Sequence, residues 1–230
     1  MDNGQLPNVF LTGGGWNCRH RWIIDNDTLG TATEDFHPSD NVADAERYVA
    51  AAGSRLVPVE HTIHVANAAA ESIGIVQRAG LVVPDEIRID HGIFRTLDRP
   101  QATPGYFAPT SNSVYLNPDA RFYAGGAGGM LRMARMAYER GWWSTDNPIG
   151  PVVHELGHAA HWGVSQEAYL HAQRARFSEA ERDLVRRLLS EYGSTEPLQL
   201  VAEVVAAKLT GFVIHADVLD LYRRFGGPKL

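Results

Sequence analysis

The sequence predicts an α+β fold, with a small sheet in the first half of the chain and a run of helices in the second. Three observations point there. Stretches with strand patterning, "EIRIDHGIF" and "GYFAPTSNSVYLNP", lie before residue 120. After residue 128, helical segments follow one another, marked off by glycines, prolines and small polar caps. A content of 44% hydrophobic and 21% charged residues among 230 supplies a buried core for one domain of ordinary size, with room for an appended segment.

Each element has its own signal. The first 35 or so residues contain "LTGGGWNCRHRWIIDN", which lacks a helical period and reads as loop and short strand. "HPSDNVADAERYVAAAG" offers Ser39 or Asp40 as a cap, then an alanine-rich helix stopped by Gly53. "NAAAESIGIVQRAG" reads as a helix ending at Gly80. "EIRIDHGIF" alternates as a strand does. "GYFAPTSNSVYLNP" reads as two strands joined by a Thr-Ser-Asn-Ser turn, with Pro118 stopping the second. "GMLRMARMAYERG" is a helix ended by Gly141. "NPIGPVVHELGHAAHWG" is entered through Pro148 or Pro151 and closed by Gly163. "SQEAYLHAQRAR" comes next. "SEAERDLVRRLLSEYG" opens on a capping box, Ser178 with Glu181, and ends at Gly193. "STEPLQLVAEVVAAKLTG" takes Ser194 or Thr195 as its cap, with Pro197 in the first turn and Gly211 past the end. "VIHADVLDLYRRFGG" is the last helix. These signals divide the chain into an N-terminal extension, residues 1–60, and a main domain, residues 61–230.

Composition narrows the function classes. A formal net charge of −6 argues against a nucleic-acid surface, which would carry a basic excess. No apolar run reaches the length of a membrane span. "MDNGQLPNVF" has neither the basic nor the apolar region of a secretory signal. The single cysteine, Cys18, excludes an intrachain disulfide and fits a reducing compartment or a particle assembled in one. A cytoplasmic or virion-associated location is expected.

The chemistry is concentrated in "PVVHELGHAAHWG", residues 151–163, which contains H-E-x-x-H. Residues four apart on a helix share a face, about 6 Å apart along the axis. His154 and His158 are therefore placed to grip one zinc ion. Glu155, next to the first ligand, is placed to reach a water rather than the metal. Zinc lowers the pKa of such a water towards about 7, and a neighbouring carboxylate takes its proton as general base. A chance match in a surface helix is the plain alternative. Against it stand the apolar neighbours Val152, Val153, Leu156, Ala159 and Ala160, which place the helix in a core. Gly157 allows another segment to approach closely.

Two side chains do not complete a catalytic site. His161 lies near the same face, but three ligands along one helix line make a poor tetrahedron, and catalytic sites of this kind draw the third ligand from a separate segment. His161 reads as a bystander. Glu203 is the only formal charge between Pro197 and Ala207 in "PLQLVAEVVAA". A lone carboxylate in such a helix needs a strong partner to be buried, and zinc is one. The expected metal ligands are therefore His154, His158 and Glu203, the last 45 residues after His158. Tyr192, at the end of the preceding helix, is the candidate donor to a developing oxyanion, with His215 and Tyr169 as weaker ones. "SVYLN" is a candidate edge strand for an extended peptide, or an ordinary sheet strand. Asp146 and Gln199 are candidates to orient the metal-bound imidazoles.

These residues carry a resemblance. H-E-x-x-H followed by a Glu in an "AE-x-x-A" setting on a later helix is similar to the gluzincin type of zinc metallopeptidase. The likeness is closer to a subgroup of phage and prophage proteins and some bacterial toxins. In that subgroup a segment like Y-[GA]-x-x-x-x-x-E-x-x-AE follows the zinc helix; here it runs from Tyr192-Gly193 to Ala202-Glu203. "GWWSTDNPIGPVVHELGHAAHW" and "SNSVYLNP" also resemble its run-up, so that the likeness spans about residues 105–212. Gln199 departs from it, standing where the subgroup often has Glu. The "CRHRW" segment around Cys18 and His20 resembles a segment of minor head proteins of tailed phages, and no chemistry is assigned to it.

The resemblance implies a zincin-like metallopeptidase domain encoded by a phage or prophage. The implied activity is zinc-dependent endopeptidase hydrolysis of a polypeptide, phage structural proteins among the candidate partners, with Glu155 as general base. The rival reading is a zinc-binding virion structural protein of the minor-head kind with weak or no proteolysis. A toxin-like effector with the same chemistry is a third.

Overall fold

The computed structural model describes residues 35–58, 62–96 and 102–230. It is an α+β fold in which a four-stranded sheet is backed by helices. The strands are β1 (Arg55–Val57), β2 (Glu86–Ile89), β3 (Gly105–Ala108) and β4 (Ser113–Leu116). They lie in the order β1-β2-β4-β3, with β1, β2 and β4 parallel and β3 antiparallel to β4. Alternation along each strand divides the sheet into two faces. Ile87, Ile89, Val114, Leu116 and Phe107 are buried in the core. Arg88, Tyr115 and Tyr106 stand in one cross-strand row on the other, half-buried face.

The helices are α1 (Val42–Ala51), α2 (Ile63–Arg78), α3 (His91–Thr96), α4 (Gly126–Glu139), α5 (Gly150–Val164), α6 (Gln166–Arg174), α7 (Glu179–Leu188), α8 (Pro197–Leu209) and α9 (Ala216–Arg224). Two of them form the heart of the molecule. In α5 every residue from Gly150 to His161 is buried except Glu155, and in α8 every residue from Pro197 to Ala207 except Gln199. Helices apolar on nearly all sides are buried on all sides. α5 accordingly packs against α8, α2, β3 and β4 at once. α7 is the opposite case: it buries only Val185 and presents its charged residues to solvent.

The structure revises several boundaries. α1 is capped by Asn41, whose side chain accepts from the Ala43 N–H at 3.0 Å; Ser39 instead accepts from the Asn41 N–H. α2 begins at Ile63, four residues before the expected Asn67 start. α5 runs through Gly163 to Val164, and Ser165 then caps α6. Gly163 does not end the helix because its role is close approach: a Cβ there would stand 2.6 Å from Val82. α8 starts from Glu196, while Ser194 and Thr195 bond the carbonyls of Glu191 and Tyr192 in the preceding turn. The capping box on α7 forms as expected.

Two larger corrections follow from the sheet. "SVYLN" contains β4, which lies between β2 and β3, so it is no edge strand; β3 occupies that edge. The boundary expected at residue 60 also separates parts that pack as one unit. β1 pairs with β2 and α1 lies on α2, so the described residues before 60 belong to the same layers as the main domain. Strand pairing between distant segments has no local signature, which is why both features escaped the sequence. Among the described residues no helix is long and apolar enough to cross a membrane.

Candidate metal centre

The contact between α5 and α8 builds the site. Gly157 makes it close: a Cβ there would meet Val205 Cβ at 3.1 Å and Ala202 Cα at 3.2 Å. At this separation two pairs of residues spaced four apart face each other, His154 and His158 on α5, Gln199 and Glu203 on α8. Nε2 of His154 lies 2.9 Å from Oε1 of Gln199, and Nε2 of His158 lies 3.3 Å from the same oxygen. Both imidazoles thus aim one nitrogen at a common point.

Glu203 is brought to the site, but to its other side. Its Oε1 lies 2.9 Å from Nδ1 of His154. Its Oε2 accepts from the Ser144 N–H and from the Ser190 hydroxyl, each at 2.8 Å, and Gly193 N–H donates to the Ser190 oxygen in turn. Ser144 also donates its hydroxyl to the Glu203 carbonyl at 3.0 Å. A carboxylate with three donors is well satisfied although only 3% exposed. The arrangement differs from the expected one, in which Glu203 shares the metal-facing point with the two histidines. Gln199 stands there instead. The fully buried position of Glu203 demanded a strong partner, and the imidazole of His154 with two further donors supplies it.

The charges follow from these contacts. Burial opposes ionisation of both Glu203 and His154. Their mutual bond and charge outweigh it, aided by Ser190 and Ser144 on one side and Glu155 and Gln199 on the other, so Glu203 is lowered and His154 raised. His158 is pushed well below its usual value by burial and by the neighbouring His154, with Gln199 opposing. His158 is thereby held neutral, the form a metal ligand must take.

Glu155 is half-buried beside the edge of the sheet. A Cβ on Gly105 of β3 would stand 2.7 Å from its Cγ, so the absence of a side chain at 105 makes room for it. Two buried phenols lie within its field: burial first, then the Glu155 charge, pushes Tyr123 and Tyr169 above the ordinary tyrosine value. Tyr192 lies flat on His154, ring centroids 5.2 Å apart, and stacks at 5.6 Å on the half-exposed Trp142. An aromatic stack therefore leads from solvent to the imidazole.

Other candidates fall elsewhere. His161 is fully buried and turned towards the end of α9, with Tyr169 at 5.5 Å; neither ring nitrogen reaches a partner at full hydrogen-bond geometry. Burial lowers its pKa to about 4, against a weak contact with the Phe225 backbone. It takes no part in the converging pair. His215 is exposed and caps α9. Nδ1 of His154 takes Glu203, not Asp146, as its partner. Cys18 and His20 lie outside the described residues. No local pattern marks Ser144, Ser190, Tyr123 or Gly105 as part of the site. One signal for Gln199 was available: its spacing of four from Glu203 repeats the spacing of His154 and His158.

The residues present fit a divalent zinc ion at the converging point in most respects. Two imidazole nitrogens face it, one ring is held neutral, and a carboxylate fixes the other from behind, the usual support for a ligating histidine. The third donor facing that point is an amide, and among the described residues no group of three His, Cys, Asp or Glu side chains forms a metal cluster. No protein-family model, curated protein or solved structure matches this chain.

Proposed function

We propose that the chain is a zinc-dependent endopeptidase in which His154 and His158 hold the metal. The observation that carries this is the convergence of both Nε2 atoms on one point, 2.9 and 3.3 Å from a single oxygen, with the Glu155 charge close enough to act on His154. Zinc bound there would polarise a peptide carbonyl and acidify a water. Glu155 takes the proton of the attacking water at its carboxylate and returns it to the departing amine. Glu203, through Nδ1 of His154, fixes the tautomer and orientation of that ring. Tyr192, held flat between Trp142 and His154, is the donor to the developing oxyanion. The outer edge of β3, the last strand of the sheet among the described residues, receives an extended polypeptide by strand addition, and Gly105 brings that strand against Glu155. A zincin-like architecture and a phage or prophage origin belong to the same proposal.

The second reading, a zinc-binding virion structural protein with weak or no proteolysis, is favoured by one observation: the amide of Gln199 at the metal-facing point. Activity separates the two. Zinc-loaded protein is expected to cleave an unfolded casein-like substrate. Glu155→Gln is expected to keep one zinc per chain by elemental analysis and to lose cleavage by at least about a hundredfold. Cleavage retained in that variant would remove Glu155 from the chemistry. Absence of cleavage by the zinc-loaded wild type would favour the structural reading.

A further inference from the structure

We infer that Gln199 is the third protein donor of the metal site, and that its uncharged donor set makes the site loosely loading. The inference rests on the zinc reading of His154 and His158. Two separate contacts set this site apart from a carboxylate-completed one.

The first is what Gln199 touches. Among the described residues, its Oε1 is the atom that both imidazoles reach, at 2.9 Å from Nε2 of His154 and 3.3 Å from Nε2 of His158. An ion held by both Nε2 atoms would have this oxygen as the nearest further donor. The second is what Glu203 is committed to. Its two oxygens already accept from His154 Nδ1, Ser144 N–H and Ser190 hydroxyl, all within 2.9 Å. Turning it towards Nε2 would break all three bonds in a buried place and leave the donors unpaired.

Two consequences follow for this chain. Two neutral imidazoles and an amide oxygen bring no charge to a divalent ion, whereas an Asp or Glu in the third place would bring one negative charge. Binding is therefore weaker and exchange faster than at a carboxylate-completed site. The same amide also serves the metal-free protein. With no ion bound, its oxygen is the hydrogen-bond partner of both buried Nε2 atoms. Gln199 works as a strap without metal and as a donor with it, and occupancy then follows the free zinc concentration.

The test is zinc affinity, measured by competition with a chromophoric chelator, with circular dichroism confirming the fold of each variant. Gln199→Glu is expected to tighten zinc binding at least about tenfold, and Gln199→Ala to weaken it at least about tenfold. Glu203→Gln, which keeps an oxygen acceptor for the ring, is expected to weaken binding by about 10–100-fold without abolishing it. The inference is overturned if Gln199→Glu leaves the affinity unchanged, or if Glu203→Gln removes binding while Gln199→Ala retains it. His158→Ala controls the underlying reading. Zinc bound equally well by His158→Ala and wild type means the metal lies elsewhere, and both ideas fail. Zinc bound by Gln199→Glu but not by wild type also overturns the inference, since Gln199 then donates to no metal in the native chain.

Discussion

At the scale of single residues, His161 shows how a motif can mislead by proximity. It stands three residues after His158, yet its side chain is turned into the core and touches Tyr169. Its place gives it a measurable signature. Burial lowers its pKa from 6.5 to about 4. The unfolded chain therefore takes up a proton below pH 6.5 that the folded chain refuses until about pH 4. Stability from this group is complete above pH 6.5 and is lost as the pH falls through that window, by about 3 kcal/mol in all. Urea denaturation of wild type and His161→Phe at intervals between pH 7.5 and 4 is the measurement. The difference in unfolding free energy between them should fall with pH by that order, and a flat difference would mean that His161 is not buried as a neutral ring. Glu203 makes the complementary point. Sequence correctly marked it as a buried carboxylate in need of a partner. It did not reveal that the partner is an imidazole Nδ1 with two further donors.

At the scale of elements, the site is a property of two helices at close range. Neither α5 nor α8 makes the site alone; each supplies two side chains four residues apart, and the distance between the axes decides whether they meet. Gly157 sets that distance. Gly157→Leu is expected to force α5 away from Ala202 and Val205, with a cost of about 1–3 kcal/mol from overpacking. It should weaken zinc binding as well, since the two histidines move off Gln199. Equilibrium denaturation and the chelator assay read the two effects separately, and a stable variant with unchanged affinity would show that the contact is not needed. The helices themselves were legible from their apolar runs and proline entries. Their ends were less so, because Gly163 looks like a stop and serves as a contact for Val82.

At the scale of the whole molecule, the core around the site is built from the protein's own helices and strands. α5 is buried by α8, α2, β3 and β4, and the side chains at the site bond one another. Chelation should therefore leave a folded protein, unlike small zinc domains that unfold without their ion. Zinc at a hundredfold excess over its Kd should add about 2.7 kcal/mol, which for a chain of this size raises Tm by roughly 5–10 °C. Scanning calorimetry with zinc and with EDTA checks this, and loss of the transition in EDTA would show a structural ion. The α+β order, the helical second half and the H-E-x-x-H pair were determined by the sequence, because helical periodicity, caps and spacing are local and can be read along the chain. The tertiary structure alone decided three things: that β3 rather than β4 is the edge, that β1 and α1 join the main layers, and that Gln199 rather than Glu203 faces the two Nε2 atoms. Each depends on which distant segments meet and at what distance. Two side chains four residues apart on α8 are alike in sequence reach, and only the packing of α5 across them determines which one the histidines face and which one lies behind.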